Sequence, residues 1–251
     1  MKTFKIVFLM VFILLFQACS INQDTIKSIA QSNSASEIAQ YKNEVLKYLI
    51  SYKKKLDIRN PNSYNKALSK NINLQISQNQ NYISVIQNHK KLENYNEYLH
   101  YAFSKEDIKN RNDFLIIGLY KMIYSVYRLE KSHQFVAMQY NKASMLKLYE
   151  YMQVIRWKIR TAKDLKGNYL FLTWQNNWQL ELMKKDRSDL NIIKDLKYIK
   201  SNKETLFSPS NFSFEVLLSK MIVNIEYSLK KINVEPYEMS LSAIKSFVFI
   251  I

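Results

Sequence analysis

The chain has 251 residues, with 37 Lys and Arg against 21 Asp and Glu, which gives a formal net charge of +16. Its apolar content of 47% is that of a folded protein. Only two glycines occur, and this scarcity argues against folds that depend on positive-φ turns, such as dinucleotide-binding folds and hairpin-rich β proteins. Because only three prolines interrupt the chain, the composition predicts an all-α protein built from long helices.

The start of the chain has the organisation of an export signal. Lys2 and Lys5 precede an uninterrupted apolar run over residues 6–16, and a small residue, Ala18, follows. A run of this length is too short to span a bilayer, which takes about 20 residues. The sequence therefore predicts a secretory signal peptide over residues 1–18.

The four residues Phe16-Gln17-Ala18-Cys19 resemble the lipobox of bacterial lipoproteins, in which Leu, a small residue, and Gly or Ala precede a Cys. The resemblance implies cleavage before Cys19, a thioether-linked diacylglycerol on its sulfur and a third acyl chain on its new amino group. More than one acyl chain anchors a protein stably to a membrane. Ser20, rather than Asp, follows the cysteine and favours the outer membrane, so we expect a lipoprotein of the cell envelope.

Cysteine usage and the absence of catalytic motifs limit the function further. Cys19 is the only cysteine, so an intrachain disulfide is excluded and the exported domain must be held by its core. The sequence contains no Gly-x-Ser-x-Gly, His-Glu-x-x-His or Gly-rich phosphate loop. We therefore expect no cofactor and a non-enzymatic binding or scaffold role, with a protein partner left unspecified.

The rest of the chain is predicted to be a short tether followed by one helical domain. Residues 19–36 are small and polar, which is typical of a tether, and residues 37–251 form the predicted domain. Apolar spacing predicts helices over 36–58, 61–103, 114–165, 169–185, from 188, over 212–231 and from 236. Asn60-Pro61 is typical of a helix start, while alternating apolar residues over 71–81 leave that part open as helix or kink. The segment 114–165, closed by Gly167, predicts one long central helix around which an irregular bundle packs.

Two Glu-x-x-His units are candidate metal ligands. Glu97 precedes His100 by three positions, and Glu130 precedes His133 in the same way. Residues three apart share a face of a helix, and helical di-metal carboxylate proteins use two such units with further glutamates. A di-metal enzyme is thus one alternative, and the plainer interpretation is ordinary surface and hydrogen-bonded Glu and His residues.

A second alternative is glycan binding through an aromatic and amide cluster. Trp174 and Trp178 lie four positions apart, with Asn176 and Asn177 between them. On a helix both rings share one face, and flat rings beside amides suit sugar binding. The plainer interpretation is that the two rings belong to the core.

Two basic clusters are candidates for contact with an anionic partner: Lys53, Lys54 and Lys55, and Arg156, Lys158 and Arg160. If they share an exposed face, that face would attract anionic lipid headgroups, lipopolysaccharide or a cell-wall polymer. The plainer interpretation is a solvated lysine coat spread over every helix. We expect no nucleic-acid partner, because an exported lipoprotein rarely meets one.

Overall fold

The computed structural model describes residues 23–131, 136–173, 177–185, 190–205 and 213–235. The predicted all-α class is confirmed, because helices dominate and a two-stranded hairpin is the only sheet in these ranges. The helices are α1 (Gln23–Arg59), α2 (Lys66–Ser77), α3 (Tyr95–Phe103), α4 (Arg111–Tyr127), α5 (Lys142–Thr161), α6 (Asn177–Met183), α7 (Lys197–Lys200) and α8 (Ser213–Lys231). Strands β1 (Ile86–Gln87) and β2 (Lys90–Lys91) form the hairpin, and 3-10 turns cover Ala137–Gln139 and Leu190–Asp195.

Four of the helices, α1, α4, α5 and α8, form an up-down-up-down bundle. Helices α1 and α8 run antiparallel along their lengths, since Glu37 pairs with Lys231 near one end and Tyr52 packs edge-on against Phe214 near the other. Helix α5 is also antiparallel to α8, whereas α4 and α8 end together where the hydroxyls of Tyr127 and Ser228 share a hydrogen bond of 2.9 Å. Helices α2 and α3 pack outside this bundle against α4.

Helix α4 is the centre of the core. Every residue from Arg111 to Ile123 is buried, because α4 is apolar over most of its circumference and is covered by α1, α2, α3 and α5.

The predicted continuous helix over 114–165 is wrong, because the segment folds back on itself. Helix α4 ends where Arg128 adopts the left-handed conformation, with φ of 54°, and its amide donates to the carbonyls of Tyr124 and Ser125. Helix α5 begins at Lys142, where the Asn141 side chain accepts the amide of Ser144. An apolar stripe that stays in phase fits two packed helices as well as one, so periodicity alone did not reveal the turn.

The predicted helix over 61–103 is also divided. Its start is Lys66 rather than Pro61, because Asn65 is the N-cap and accepts the amides of Ala67 and Leu68. The hairpin β1–β2 then occupies residues predicted to be helical. Its turn residues Asn88 and His89 have φ of 50° and 60°, so this chain makes a positive-φ turn without glycine.

Helices α3 and α4 approach closely at the glycine of α4. A Cβ atom added to Gly118 would lie 3.0 Å from the Leu99 side chain and 3.1 Å from the Cβ of Tyr98. A side chain at position 118 would therefore collide with α3, and glycine allows the two helices to pack this closely. The capping box between Asn94 and Glu97 fixes where α3 begins.

Three further boundaries differ from the predictions. Helix α1 begins at Gln23, so the part of the predicted tether from there to residue 36 is helical. Helix α5 ends at Thr161, and Gly167, with φ of 83°, lies in a turn instead of closing a helix. The chain from 170 to 173 is irregular, and the described helical part of the predicted helix over 169–185 is Asn177–Met183. The prediction for α8 is confirmed to within one residue, and the helix predicted from Pro236 lies outside the described residues.

Candidate functional site

Most of the predicted basic residues lie at the end of the bundle where α1 ends at Arg59, which we call the distal end. The C-terminal ends of α1, α3 and α5 meet there with the N-terminal ends of α4 and α8. Lys55 on α1 lies over the ring of Phe214 at 5.0 Å, and Lys158 on α5 lies over Phe103 at 5.5 Å. The two clusters that the sequence separates by a hundred positions are thus at the same end of the molecule.

Lys53 does not face solvent at this end of the bundle, so the prediction that it contacts an anionic partner is wrong. It is 1% exposed, because α2 covers this face of α1. Its Nζ donates to Asp57 Oδ2 and to Ser69 Oγ, each at 2.5 Å. The charge is therefore used inside the protein to join α1 to α2.

The same buried network continues into α4. Asn112 Nδ2 donates to Asp57 Oδ1 at 3.2 Å, and Asp113 Oδ2 accepts the Asn65 amide at 2.7 Å. Asp113 Oδ1 is buried and has no hydrogen-bond partner among the described residues. Burial raises the pKa of Asp113 to about 6, and the charge of Asp57 adds to this effect. This network holds α1, α2 and α4 in register.

Lys54 and Lys55 open onto a pocket of about 350 Å³ between α1, α6 and α8. Arg59 and Lys203 also line it, and burial lowers the pKa of Lys55 to about 8. The one carboxylate in the lining, Glu204, accepts the backbone amides of Asn177 and Trp178 at the start of α6. The pocket is cationic, and its chemistry suits a small anion.

Arg156 and Arg160 lie on the other side of α8 and share one carboxylate. Their Nε atoms are 2.9 and 3.5 Å from the two oxygens of Glu215. Trp157, which is 54% exposed, lies beside them in a groove of about 460 Å³. Glu215 offsets part of the positive charge of Arg156 and Arg160. Lys158, the third residue of the predicted cluster, has no acidic partner among the described residues.

A turn after α5 adds functional candidates that sequence reasoning missed. Asp164 Oδ1 accepts the amides of Lys166 and Asn168 at 2.8 Å each, and Gly167 supplies the positive φ. Leu165 is 78% exposed near the tip of this turn. An Asp followed by Gly and Asn is a turn signal, and the same Gly also fits the end of a long helix, which is what the apolar spacing predicts.

This turn packs against the loop between α3 and α4, where the Leu165 amide donates to the Lys105 carbonyl at 3.3 Å. Together the two loops form one exposed surface across the bundle end. We call it the distal surface and define it by its exposed basic and apolar residues: Lys105, Lys109, Lys158, Lys163, Leu165, Lys166 and Leu172. Glu106 and Asp107 are exposed beside Lys105, whereas Asp164 is bound within the turn, and both Asp164 and Asp107 act electrostatically on the buried Arg111.

In the described residues, the side chains of the two Glu-x-x-His units make contacts other than metal coordination. Both Glu97 oxygens are engaged, one by Lys90 Nζ at 2.5 Å and the other by the amides of Glu93 and Asn94. These contacts lower the pKa of Glu97 to about 2. His100 lies beside Glu97 in an open surface pocket.

Glu130 follows the end of α4, where its carboxylate is 3.9 Å from Arg128 Nε. His133 lies outside the described residues, and the described part of the chain holds no group of three or more potential metal ligands. The di-metal alternative stays a prediction without geometric support from these ranges.

The predicted glycan site is only partly described, since Trp174 and Asn176 lie outside the described ranges. Asn177 and Trp178 form the start of α6, where their amides bind Glu204. The Asn177 side chain also accepts a hydrogen bond from Arg59. Asn177 and Trp178 thus connect α6 to the loop at Glu204, and Asn177 also connects α6 to α1.

The fold and this end of the molecule define a helical-bundle protein with a cationic, partly apolar end surface. Among the described residues, no helix combines the length and the apolarity needed to cross a bilayer. Comparison of the chain with protein-family models, curated proteins and solved structures finds no match. Function must therefore be argued from the residues themselves.

Proposed function

We propose that this chain is an exported lipoprotein, anchored in the cell envelope by acyl chains on Cys19, with a non-enzymatic binding role. One observation carries the proposal: the lipobox-like residues 16–19 stand directly after an apolar run of signal-peptide length. The outer membrane is the proposed location, since Ser20 follows the cysteine.

The binding role is supported by the distribution of charge at the distal end. The distal surface and the pocket beside Lys54 and Lys55 place exposed and half-buried cations around the same bundle end. Such a surface attracts phosphate and carboxylate groups, which anionic lipids, lipopolysaccharide and cell-wall polymers all carry. The proposed partner is therefore an anionic component of the envelope.

The test of the anchor is the substitution Cys19→Ala in the full chain, followed by detergent partition and membrane fractionation of the cells that express it. We expect the wild-type protein to partition with detergent and the variant to stay uncleaved or leave the membrane fraction after carbonate washing. Ser20→Ala is the matched control and should behave as the wild type. Unchanged detergent partition and processing of the Cys19→Ala protein would overturn the proposal.

A further inference from the structure

We infer that the distal surface docks on an anionic lipid bilayer other than the one that holds Cys19, so that the protein links two membranes. This inference rests on the proposed function for the position of the anchor. It is carried by the placement of the surface in the fold and by its combination of exposed lysines with exposed leucines.

The first argument is the distance between the anchor and the surface. Helix α1 has 37 residues, which gives a length of about 55 Å at 1.5 Å per residue. Cys19 precedes Gln23, where α1 begins, by only a few residues. The distal surface lies at the other end of α1 and consists of the last turn of α5 and of loops that connect helix ends, so it lies away from the end where α1 begins.

The second argument is the apolar part of the surface. Leu165 is 78% exposed and Leu172 is 47% exposed. Leu172 is held beside the end of α1, because its amide donates to Asn60 Oδ1 at 3.1 Å. Ile58, on the last turns of α1, is 67% exposed. Large exposed apolar side chains at this end of the bundle lose their contact with water when they enter the interface of a bilayer.

The third argument is the charge that surrounds these leucines. Lys163 and Lys166 flank Leu165 in the turn, and Lys105 lies in the loop to which the Leu165 backbone is bonded. Lysines around an inserted apolar side chain match the anionic headgroups of a bilayer. A soluble anionic polymer would account for the lysines, but it would give no reason for the exposed leucines. The lipid surface is therefore the partner that fits both.

The first experiment measures docking without the anchor. The chain from residue 19, with Cys19→Ser, is checked for helicity by circular dichroism and sedimented with vesicles of phosphatidylcholine and phosphatidylglycerol, or of phosphatidylcholine alone. We expect binding only to the anionic vesicles, weakening steeply as salt rises. Absence of binding to the anionic vesicles at low salt would overturn the inference.

Paired variants locate the docking surface. Lys105→Gln combined with Lys166→Gln should weaken binding about 25-fold, at about fivefold for each lysine near an anionic bilayer. The matched control, Lys131→Gln with Lys142→Gln, removes two exposed lysines at the opposite end and should change binding less than threefold. Equal losses in the two pairs would overturn the inference, because the charge would then act without a defined surface.

The leucine is tested separately. Leu165→Asn should weaken binding about tenfold, because it removes the apolar side chain without adding charge, whereas Met138→Asn should change it little. Met138 is 81% exposed near the other end of the bundle, where its amide donates to Gln31 Oε1. If the Leu165→Asn protein binds as tightly as the wild type while the lysine pair loses binding, the surface takes polyanions in general and the lipid assignment is overturned.

The second experiment asks whether two membranes are linked. Because Cys19 is the only cysteine, a maleimide lipid in neutral vesicles attaches the chain from residue 19 at that position, whether or not the cell acylates it. Addition of anionic vesicles should cause clustering, seen as light scattering, and Leu165→Asn should reduce it. Docking in the first experiment without clustering in the second would overturn the link between two membranes. A failure of lipidation in cells would instead contradict the proposed function and leave both results intact.

Discussion

Lys53 Nζ and Asp57 Oδ2 lie 2.5 Å apart in the interior of the protein, with the two side chains 1% and 9% exposed. They are one helical turn apart on α1, and Ser69 from α2 and Asn112 from α4 complete the contacts of the pair. A charge pair in this position is costly to desolvate and stays stable only because each charge has its partner. The pair therefore fixes how three helices meet.

We expect Lys53→Met to lower the free energy of unfolding by about 3–5 kcal/mol, because it leaves the Asp57 carboxylate buried without its cation. The matched control is Lys54→Met, since Lys54 is the next residue on α1 and is exposed; its effect should stay within about 0.5 kcal/mol. Urea denaturation followed by circular dichroism measures both values. Similar losses in the two variants would contradict the role given to the pair.

Asp113 should make stability depend on pH in an unusual direction. Its pKa is about 6 in the folded protein and about 3.9 in an unfolded chain, so the folded state binds the proton more tightly. This group therefore favours folding as pH falls from about 6 to 4, and it costs stability above pH 6. A pKa that differs by about 2 between the folded and unfolded states corresponds to ~3 kcal/mol of unfolding free energy.

The substitution Asp113→Asn tests this relationship, because an amide keeps an oxygen for the Asn65 amide and cannot ionise. We expect the variant to be more stable than the wild type at pH 7.5 by up to about 3 kcal/mol, and the difference to shrink toward pH 4. Asp195→Asn, at an exposed position, is the control and should show no such trend. A difference between wild type and Asp113→Asn that is the same at both pH values would refute the prediction.

Gly118 should be intolerant of larger side chains because of Leu99. We expect Gly118→Val to cost about 1–3 kcal/mol of unfolding free energy, since the added methyl groups meet the Leu99 side chain, which lies 3.0 Å from a Cβ at this position. Leu99→Ala in the Gly118→Val background should recover part of this loss by vacating the space. A double-mutant cycle from thermal or urea unfolding measures the coupling. Strictly additive losses would show that the two positions do not share the space.

Several features of this protein follow from its sequence alone. Scarce glycine and proline with regular apolar spacing predicted an all-α fold, and the bounds of α8 were predicted to within one residue. The segment 114–165 was predicted to be central, and its first part lies in α4, which is buried on all sides from Arg111 to Ile123. The export signal and the lipobox resemblance are equally properties of the sequence, and they stay predictions, as residues 1–22 lie outside the described ranges.

Only the tertiary structure decided where α4 ends and which lysines face water. The stripe over 114–165 is in phase across Arg128, so nothing in its period shows that α4 stops there and α5 packs back against it. Lys53 and Lys54 are neighbours of the same type, yet one is 1% exposed and the other is exposed, because α2 covers only one face of α1. Burial of a long charged side chain depends on which element folds over it and on the presence of a partner such as Asp57, and local sequence specifies neither. For the same reason Leu165 and Lys105, sixty positions apart, become one surface only when the loops at the end of the bundle meet.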